Sequence, residues 1–141
     1  MRILLMPAPT GMGRHSVHSG ANYPTALAQI AAQLEPGHDI RGYDPDLDAE
    51  YPTSFVSMLS DFQPERVAIG FRIFDTTLSY EPRSYLPELE EGLRTIRQAV
   101  PETIIVIGGS GFSFFAKPLM ERLVEVDVGF YLAGDRSFAA F

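Results

Sequence analysis

Short apolar, β-branched runs alternate along the chain with stretches in which apolar residues return every three to four positions. RILLM (2–6) reads as a first strand. Between Tyr23 and Leu34, the residues Ala26, Leu27, Ile30, Ala31 and Leu34 share one helical face, and Pro24 suits a first turn. Glu35-Pro36-Gly37 stops that helix, and DIRGYD (39–44) is a weak second strand at an edge. Phe55, Met58, Leu59 and Phe62 stand at i, i+3, i+4 and i+7, which predicts a second helix over about 53–62, closed by Pro64. RVAIGFRI (66–73) follows as a third strand. Leu86, Leu89, Leu93, Ile96 and Val100 then stripe a long third helix whose other faces carry Glu88, Glu90, Glu91, Arg94 and Arg97. TIIVIGG (103–109) is apolar on both faces, as buried parallel strands are. Leu119, Leu123 and Val124 mark a fourth helix, VGFYLAG (128–134) a fifth strand, and Asp135 a cap for a last helix from Arg136.

Strands alternating with helices predict a parallel sheet, because parallel crossovers need a helix and turn right-handedly onto a face. The expected fold is α/β and flavodoxin-like (Rossmann-type): five parallel strands in the order 2-1-3-4-5, with helices on both faces. The 141 residues suit one domain, 1–141, without repeats or low-complexity linkers. Loops 7–22, 73–83, 108–115 and 133–137 fall at the C-terminal edge of the strands, and three of them are long and rich in Gly, Ser, Thr and Pro. The opposite loops, 35–38 and 63–65, are short and plain. Ligands of such sheets bind at the C-terminal edge, so function is expected there.

Composition narrows the chemistry. The net charge of −7 argues against nucleic acid as a partner, since phosphate neutralisation needs a basic face. The absence of cysteine excludes disulfides, thiolate zinc sites, a cysteine nucleophile and a cysteine-ligated cluster within this chain. No apolar run spans a bilayer, and residues 3–6 are too short a core for a signal peptide, so the expected location is the cytoplasm, with no membrane partner.

GMGRHSVHSG (11–20) approaches the dinucleotide fingerprint but carries Ser16 in place of its third glycine. Its helix starts only near Tyr23, whereas a dinucleotide loop runs straight into the helix that faces the pyrophosphate. A loop this long fits wrapping a bulky ligand, or is plain surface loop. His15 and His18 lack a partner at metal-ligand spacing and read as solvated; His38 lies in a turn. Gly108-Gly109-Ser110-Gly111 begins like a hydrolase elbow, yet Phe112 replaces the last glycine and no histidine follows residue 38. The remaining options are a tight turn or a backbone that a flat ligand approaches closely. Arg72, at the end of an apolar strand, needs either Asp75 or a ligand to satisfy it. A receiver domain is excluded, because Met6-Pro7-Ala8-Pro9 and Ala133-Gly134-Asp135 stand where its acids and lysine belong.

Taken in order, RILLMPAPT, YPTALAQIAAQLEPGHDIRGYD, AIGFRIFDTT with SYEPRSYLPELEEGLRTIRQ, IIVIGGSGFS and VDVGFYLAGDRSF resemble the cobalamin-binding domain of cobalamin-dependent radical S-adenosylmethionine enzymes, over nearly the whole chain. The family type is a methyltransferase, and a tryptophan methyltransferase of thiopeptide assembly is one match. The resemblance implies a corrin ring over the C-terminal edge and a nucleotide tail beside the first and fourth strands. Thr10, Gly11 and Gly20 would then wrap one side of the ligand, and Arg72, Asp75 and Thr76 would face the underside of the ring. Gly108, Gly109 and Ser110 would let the tail pass, with Gly134 and Asp135 bordering it.

One departure from related cobalamin domains matters. The D-x-H-x-x-G motif that supplies a cobalt-ligating histidine is missing around both His15 and His18. The resemblance therefore implies cobalamin held without a protein ligand to the metal and with Arg72 beneath it, a permanent cation that opposes the more oxidised metal. It also implies S-adenosylmethionine and a [4Fe-4S] cluster in a radical S-adenosylmethionine domain of the same full-length protein, beyond Phe141, so that this chain alone is inactive. Two other readings remain: a flavodoxin-like module for flavin mononucleotide, and a non-catalytic interaction scaffold.

Overall fold

Leu4, Met6, Val67, Ile69, Ile105 and Ile107 fall on one face of three neighbouring strands, and Ile3, Leu5, Ala68 and Val106 on the other, so both faces must be covered. The computed structural model describes residues 1–11, 25–34, 36–72, 83–132 and 135–141. Its strands β1 (Arg2–Pro7), β2 (Asp39–Gly42), β3 (Arg66–Gly70), β4 (Ile104–Gly108) and β5 (Val128–Gly129) form one sheet in the order β2-β1-β3-β4-β5. Every pair is parallel, with Leu5 opposite Ala68 and Gly70 opposite Gly108. The flavodoxin-like expectation therefore holds, including the edge position of β2.

On one face α2 (Thr53–Phe62), α3 (Leu86–Ala99), α4 (Ser110–Phe114) and α5 (Ala116–Arg122) bury Phe55, Leu59, Leu89, Leu93, Ile96, Phe112 and Leu119 against the sheet. On the other, α1 (Thr25–Gln33) and α6 (Asp135–Ala140) pack side by side and contribute Leu27 and Phe138. Among the described residues no helix is long and apolar enough to cross a membrane.

Helix α2 matches its expected span, and the stripe from Leu86 to Val100 is buried as read. Three expectations need correction. First, β3 ends at Gly70 rather than residue 73: the Phe71 amide makes the last ladder bond, to Gly108, its carbonyl is taken by the Phe112 amide of α4, and Arg72 is already exposed. Second, β5 has two residues, not seven. Gly129 lies over Phe112, where an added Cβ would stand 2.4 Å from Cζ, and the chain then leaves the sheet so that the Leu132 amide donates to Ser113 Oγ (2.9 Å). Third, Val124 lies beyond α5 and is 82% exposed, so it does not belong to the buried stripe of Leu119 and Leu123.

A single arginine ties the sheet's N-terminal side together. Arg97 Nη1 donates to the carbonyls of Pro101 and Thr103, both at 2.8 Å. Its Nη2 donates to the Glu125 carbonyl (2.6 Å) and to Asp127 Oδ2 (2.8 Å), and that same oxygen accepts the Ile105 amide at 2.8 Å. Arg97→Ala strands three carbonyls and a carboxylate and is expected to cost about 2–3 kcal/mol, read as a lower urea midpoint. Arg97→Lys recovers only part of this, since one ammonium cannot reproduce a planar fork of donors.

Candidate functional site

The connection after β1 leads to α1 on one layer, whereas the connection after β3 leads to α3 on the other. Strand order reverses between them, and this switch point is where open α/β sheets bind ligands. At the root of the first loop, the Ala8 amide still donates to the Gly70 carbonyl (3.0 Å), continuing the ladder. Buried Pro9 packs against α3, where a Cβ on Gly92 would lie 3.1 Å from Pro9 Cγ. Thr10 then donates from its amide to Asp46 Oδ1 (3.2 Å) and from Oγ1 to Asp46 Oδ2 (2.6 Å). Gly11 has φ +63°, and a Cβ there would meet Arg83 Nη2 at 3.0 Å, within the Arg83–Glu88 ion pair. The chain thus leaves β1 on the α3 side and resumes at Thr25 in the opposite layer.

The second part of the rim joins the ends of β3 and β4. The Phe71 amide donates to the Gly108 carbonyl (2.8 Å), and the Phe71 carbonyl accepts from the Phe112 amide (3.2 Å). Gly109 has φ +105°, and a Cβ on it would stand 2.7 Å from the Phe71 carbonyl oxygen. Helix α4 starts at once, and Ser110 Oγ donates to the Arg72 carbonyl at 3.0 Å. Arg72, Gly109 and Ser110 are all exposed, and none of the ion pairs among the described residues involves Arg72.

The structure brings Arg72, Gly108, Gly109 and Ser110 together at one point, and Thr10 with Gly11 at another place on the same rim. Gly20, Asp75, Thr76 and Gly134 lie outside the described residues, as do His15 and His18 and the side chain of Asp135, whose backbone opens α6. The Arg72–Asp75 pairing raised by the sequence falls outside them too. His38 sits at the opposite end of the sheet, 3.4 Å from the N-terminal amine. Of the two readings of the double glycine, the tight turn accounts for Gly109 by its positive φ and its closeness to Phe71. A Cβ on Gly108 would meet only ordinary contacts, 3.6 Å from Phe130.

Sequence reading missed two features. Gly70 pairs with Gly108, and Leu27 and Phe130 pack over this pair of small residues from the α1/α6 side. Phe114, Tyr131 and Leu132, respectively 81%, 64% and 64% exposed, leave apolar surface beside β4 and β5. Tyr131 and Leu132 were hidden within the expected fifth strand; the one hint in the sequence was Gly129, which weakens strand propensity.

Between the first loop, the β2–α2 connection and α3 lies a cleft of about 210 Å³ lined by Pro9, Gly11, Asp46, Asp48, Glu88 and Glu91 among others. Its volume is below the roughly 300–1,000 Å³ of ordinary ligand pockets, and its carboxylates repel a phosphate-bearing ligand. Burial raises the Tyr51 phenol there, and the Glu91 and Asp46 charges push in the same direction. Burial also raises the Asp44 carboxyl, against the pull of the Asp46 amide. The cleft is therefore a poor seat for a large, phosphate-bearing ligand. Among the described residues no cluster of His, Cys, Asp or Glu is arranged to hold a metal ion.

No family model and no curated protein matches the chain. Solved structures do. The chain is similar, at a TM-score of 0.81 and 21% identity over 99% of its length, to the radical S-adenosylmethionine methyltransferase TsrM from Kitasatospora setae with tryptophan substrate and the analogue aza-SAM bound. A second structure of TsrM, with cobalamin and a [4Fe-4S] cluster bound, is similar over 87% of this chain at a TM-score of 0.71 and 24% identity. The chain spans 24% and 21% of those proteins, so the likeness is to the fold of one region in each.

Proposed function

We propose that this chain is the cobalamin-binding module of a cobalamin-dependent radical S-adenosylmethionine methyltransferase. The observation that carries the reading is the β3–β4 rim, where exposed Arg72 stands beside the exposed backbone of Gly109 and Ser110. The fold shared with TsrM, one of whose structures has cobalamin bound, supports the same reading. What further supports it is the chemistry of the rim, which carries the cation of Arg72, the hydroxyl of Ser110 and exposed backbone at Gly109, with Phe114, Tyr131 and Leu132 exposed near the ends of β4 and β5.

When bound, cobalamin supplies a cobalt centre able to accept and pass on a methyl group. Arg72 would present a permanent positive charge to the lower face of the ring; its guanidinium has no lone pair and does not ligate. Ser110 and the glycines Gly108 and Gly109 would border the tail, with Gly134 and Asp135 beyond them. Thr10, Gly11 and Gly20 would wrap one side of the ligand, and Asp75 and Thr76 would join Arg72 at the underside of the ring. S-adenosylmethionine and a [4Fe-4S] cluster would be held by a radical S-adenosylmethionine domain of the full-length protein, since this chain has no cysteine. Tryptophan, the substrate in one TsrM structure, is a candidate methyl acceptor.

The test is direct. Purified protein is mixed with hydroxocobalamin, desalted and scanned in the visible. A retained corrin spectrum near one equivalent is the expected result. A yellow flavin band after incubation with flavin mononucleotide, with no corrin retained, would replace this reading by the flavin alternative. No chromophore at all would leave the scaffold.

A further inference from the structure

We propose that Asp46 is a positioning residue for the cofactor rim: its carboxylate latches Thr10 and so sets where the chain leaves β1. The cofactor part of this inference rests on the cobalamin reading; the latch itself does not.

Three observations carry it. Both Asp46 oxygens are turned to Thr10, with the amide at 3.2 and 3.3 Å and Oγ1 at 2.6 Å. Among the described residues no cation pairs with Asp46; the ion pairs there are Arg83–Glu88, Arg97–Asp127 and Arg122–Glu90. Asp48 and Glu91 line the same cleft as Asp46, as does Glu88 within its pair with Arg83, and among the described residues the group that offsets their repulsion at Asp46 is Thr10.

Asp46 is itself held rigid. Its amide donates to Asp44 Oδ1 (3.0 Å), and Pro45 beside it is buried. The Tyr43 amide prolongs the β1–β2 ladder onto the Leu5 carbonyl (3.0 Å). The Tyr43 ring stacks on Phe55 with centroids 4.8 Å apart, and its hydroxyl donates to Asp48 Oδ2 at 2.7 Å. The β2–α2 connection is thus a braced arm that ends on the first residue of the β1 loop not covered by the sheet. With Pro9 against Gly92 and Gly11 against Arg83, the latch fixes the chain's exit from β1 on the α3 side. Thr10 held in place before a ligand arrives need not be ordered when the ligand binds, which is how preorganisation raises affinity.

The test uses Asp46→Ala, Asp46→Asn, Thr10→Val and the double variant Thr10→Val/Asp46→Ala. In the protein without cofactor, Asp46→Ala is expected to speed hydrogen exchange at the Thr10 amide at least tenfold. The urea midpoint should hardly fall, because a repelled carboxylate has gone as well. Asp46→Asn, which keeps one acceptor, should lie in between. With hydroxocobalamin, Asp46→Ala should dissociate about tenfold faster than wild type, the usual weight of a charge-assisted hydrogen bond. The double variant should be no worse than either single one. Unchanged Thr10 exchange in Asp46→Ala, or single effects that multiply in the double variant, overturns the latch. Failure of the wild-type protein to retain cobalamin overturns the cofactor reading instead, and the exchange measurement still decides the latch.

Discussion

On the proposed cobalamin reading, Arg72→Ala is expected to weaken binding of the reduced, cobalt(I) form of the cofactor about tenfold relative to hydroxocobalamin, to change the axial-ligand bands of the bound cofactor's visible spectrum, and to abolish methyl transfer in a full-length protein. Its effect on folding should stay within about 0.5 kcal/mol, because the side chain is exposed and takes part in no ion pair among the described residues. Tenfold corresponds to about 1.4 kcal/mol, the scale of one charge–dipole or charge–charge contact at a partly desolvated edge. Arg72→Lys separates charge from shape. It keeps the cation but loses the flat, weakly hydrated fork that suits a ring face, so partial binding with an altered spectrum is expected. A spectrum and transfer rate unchanged in both variants would remove Arg72 from beneath the metal.

The second large effect concerns the double glycine, where the two residues are expected to part company. Gly109→Ala forces a side chain into a φ of +105° with its Cβ 2.7 Å from the Phe71 carbonyl oxygen, a backbone atom that cannot step aside cheaply. That backbone region is populated essentially by glycine alone, and the strain plus the clash should cost roughly 3–4 kcal/mol. A melting temperature lower by about 10 °C would report it. Gly108→Ala meets nothing nearer than 3.6 Å and should leave the melting temperature within a few degrees, as expected for a Cβ in ordinary contact. If the cofactor tail runs along β4, Gly108→Ala should still weaken cobalamin retention. A variant that melts like wild type and also binds like wild type would take the tail away from Gly108.

These two variants mark how far the chain could be read without its fold. The five strands, their parallel order and the C-terminal edge were legible, because periodicity reports which faces of a segment are buried and a βαβ alternation leaves few topologies. Helix α2 shows this best, since Phe55, Leu59 and Phe62 sit at helical spacing and are all buried. Where reading along the chain failed, a partner distant in sequence had decided. The stretch FYLAG has the composition of a strand, yet β5 stops at Gly129: the Phe130 amide still reaches the Ile107 carbonyl, but the Leu132 amide is taken by Ser113 of another element. Helix α4 forms from Ser110-Gly111-Phe112-Ser113-Phe114, a weak helix former, because the Phe71 carbonyl is placed to receive the Phe112 amide and Phe112 is buried on the core.

The site divides along the same line. Sequence alone determined that a cation, a double glycine and a serine would reach the C-terminal edge, since each lies at the end of a strand or in the first residues after one. Only the tertiary structure decided that Ser110 bonds back to Arg72, that Gly109 is bound by its turn while Gly108 has room, and that Asp46, a residue with no motif around it, holds Thr10. The reason is physical. A residue's place on a strand or helix is set by its own neighbours in the chain, whereas contacts between two loops depend on the packing of every element that carries them.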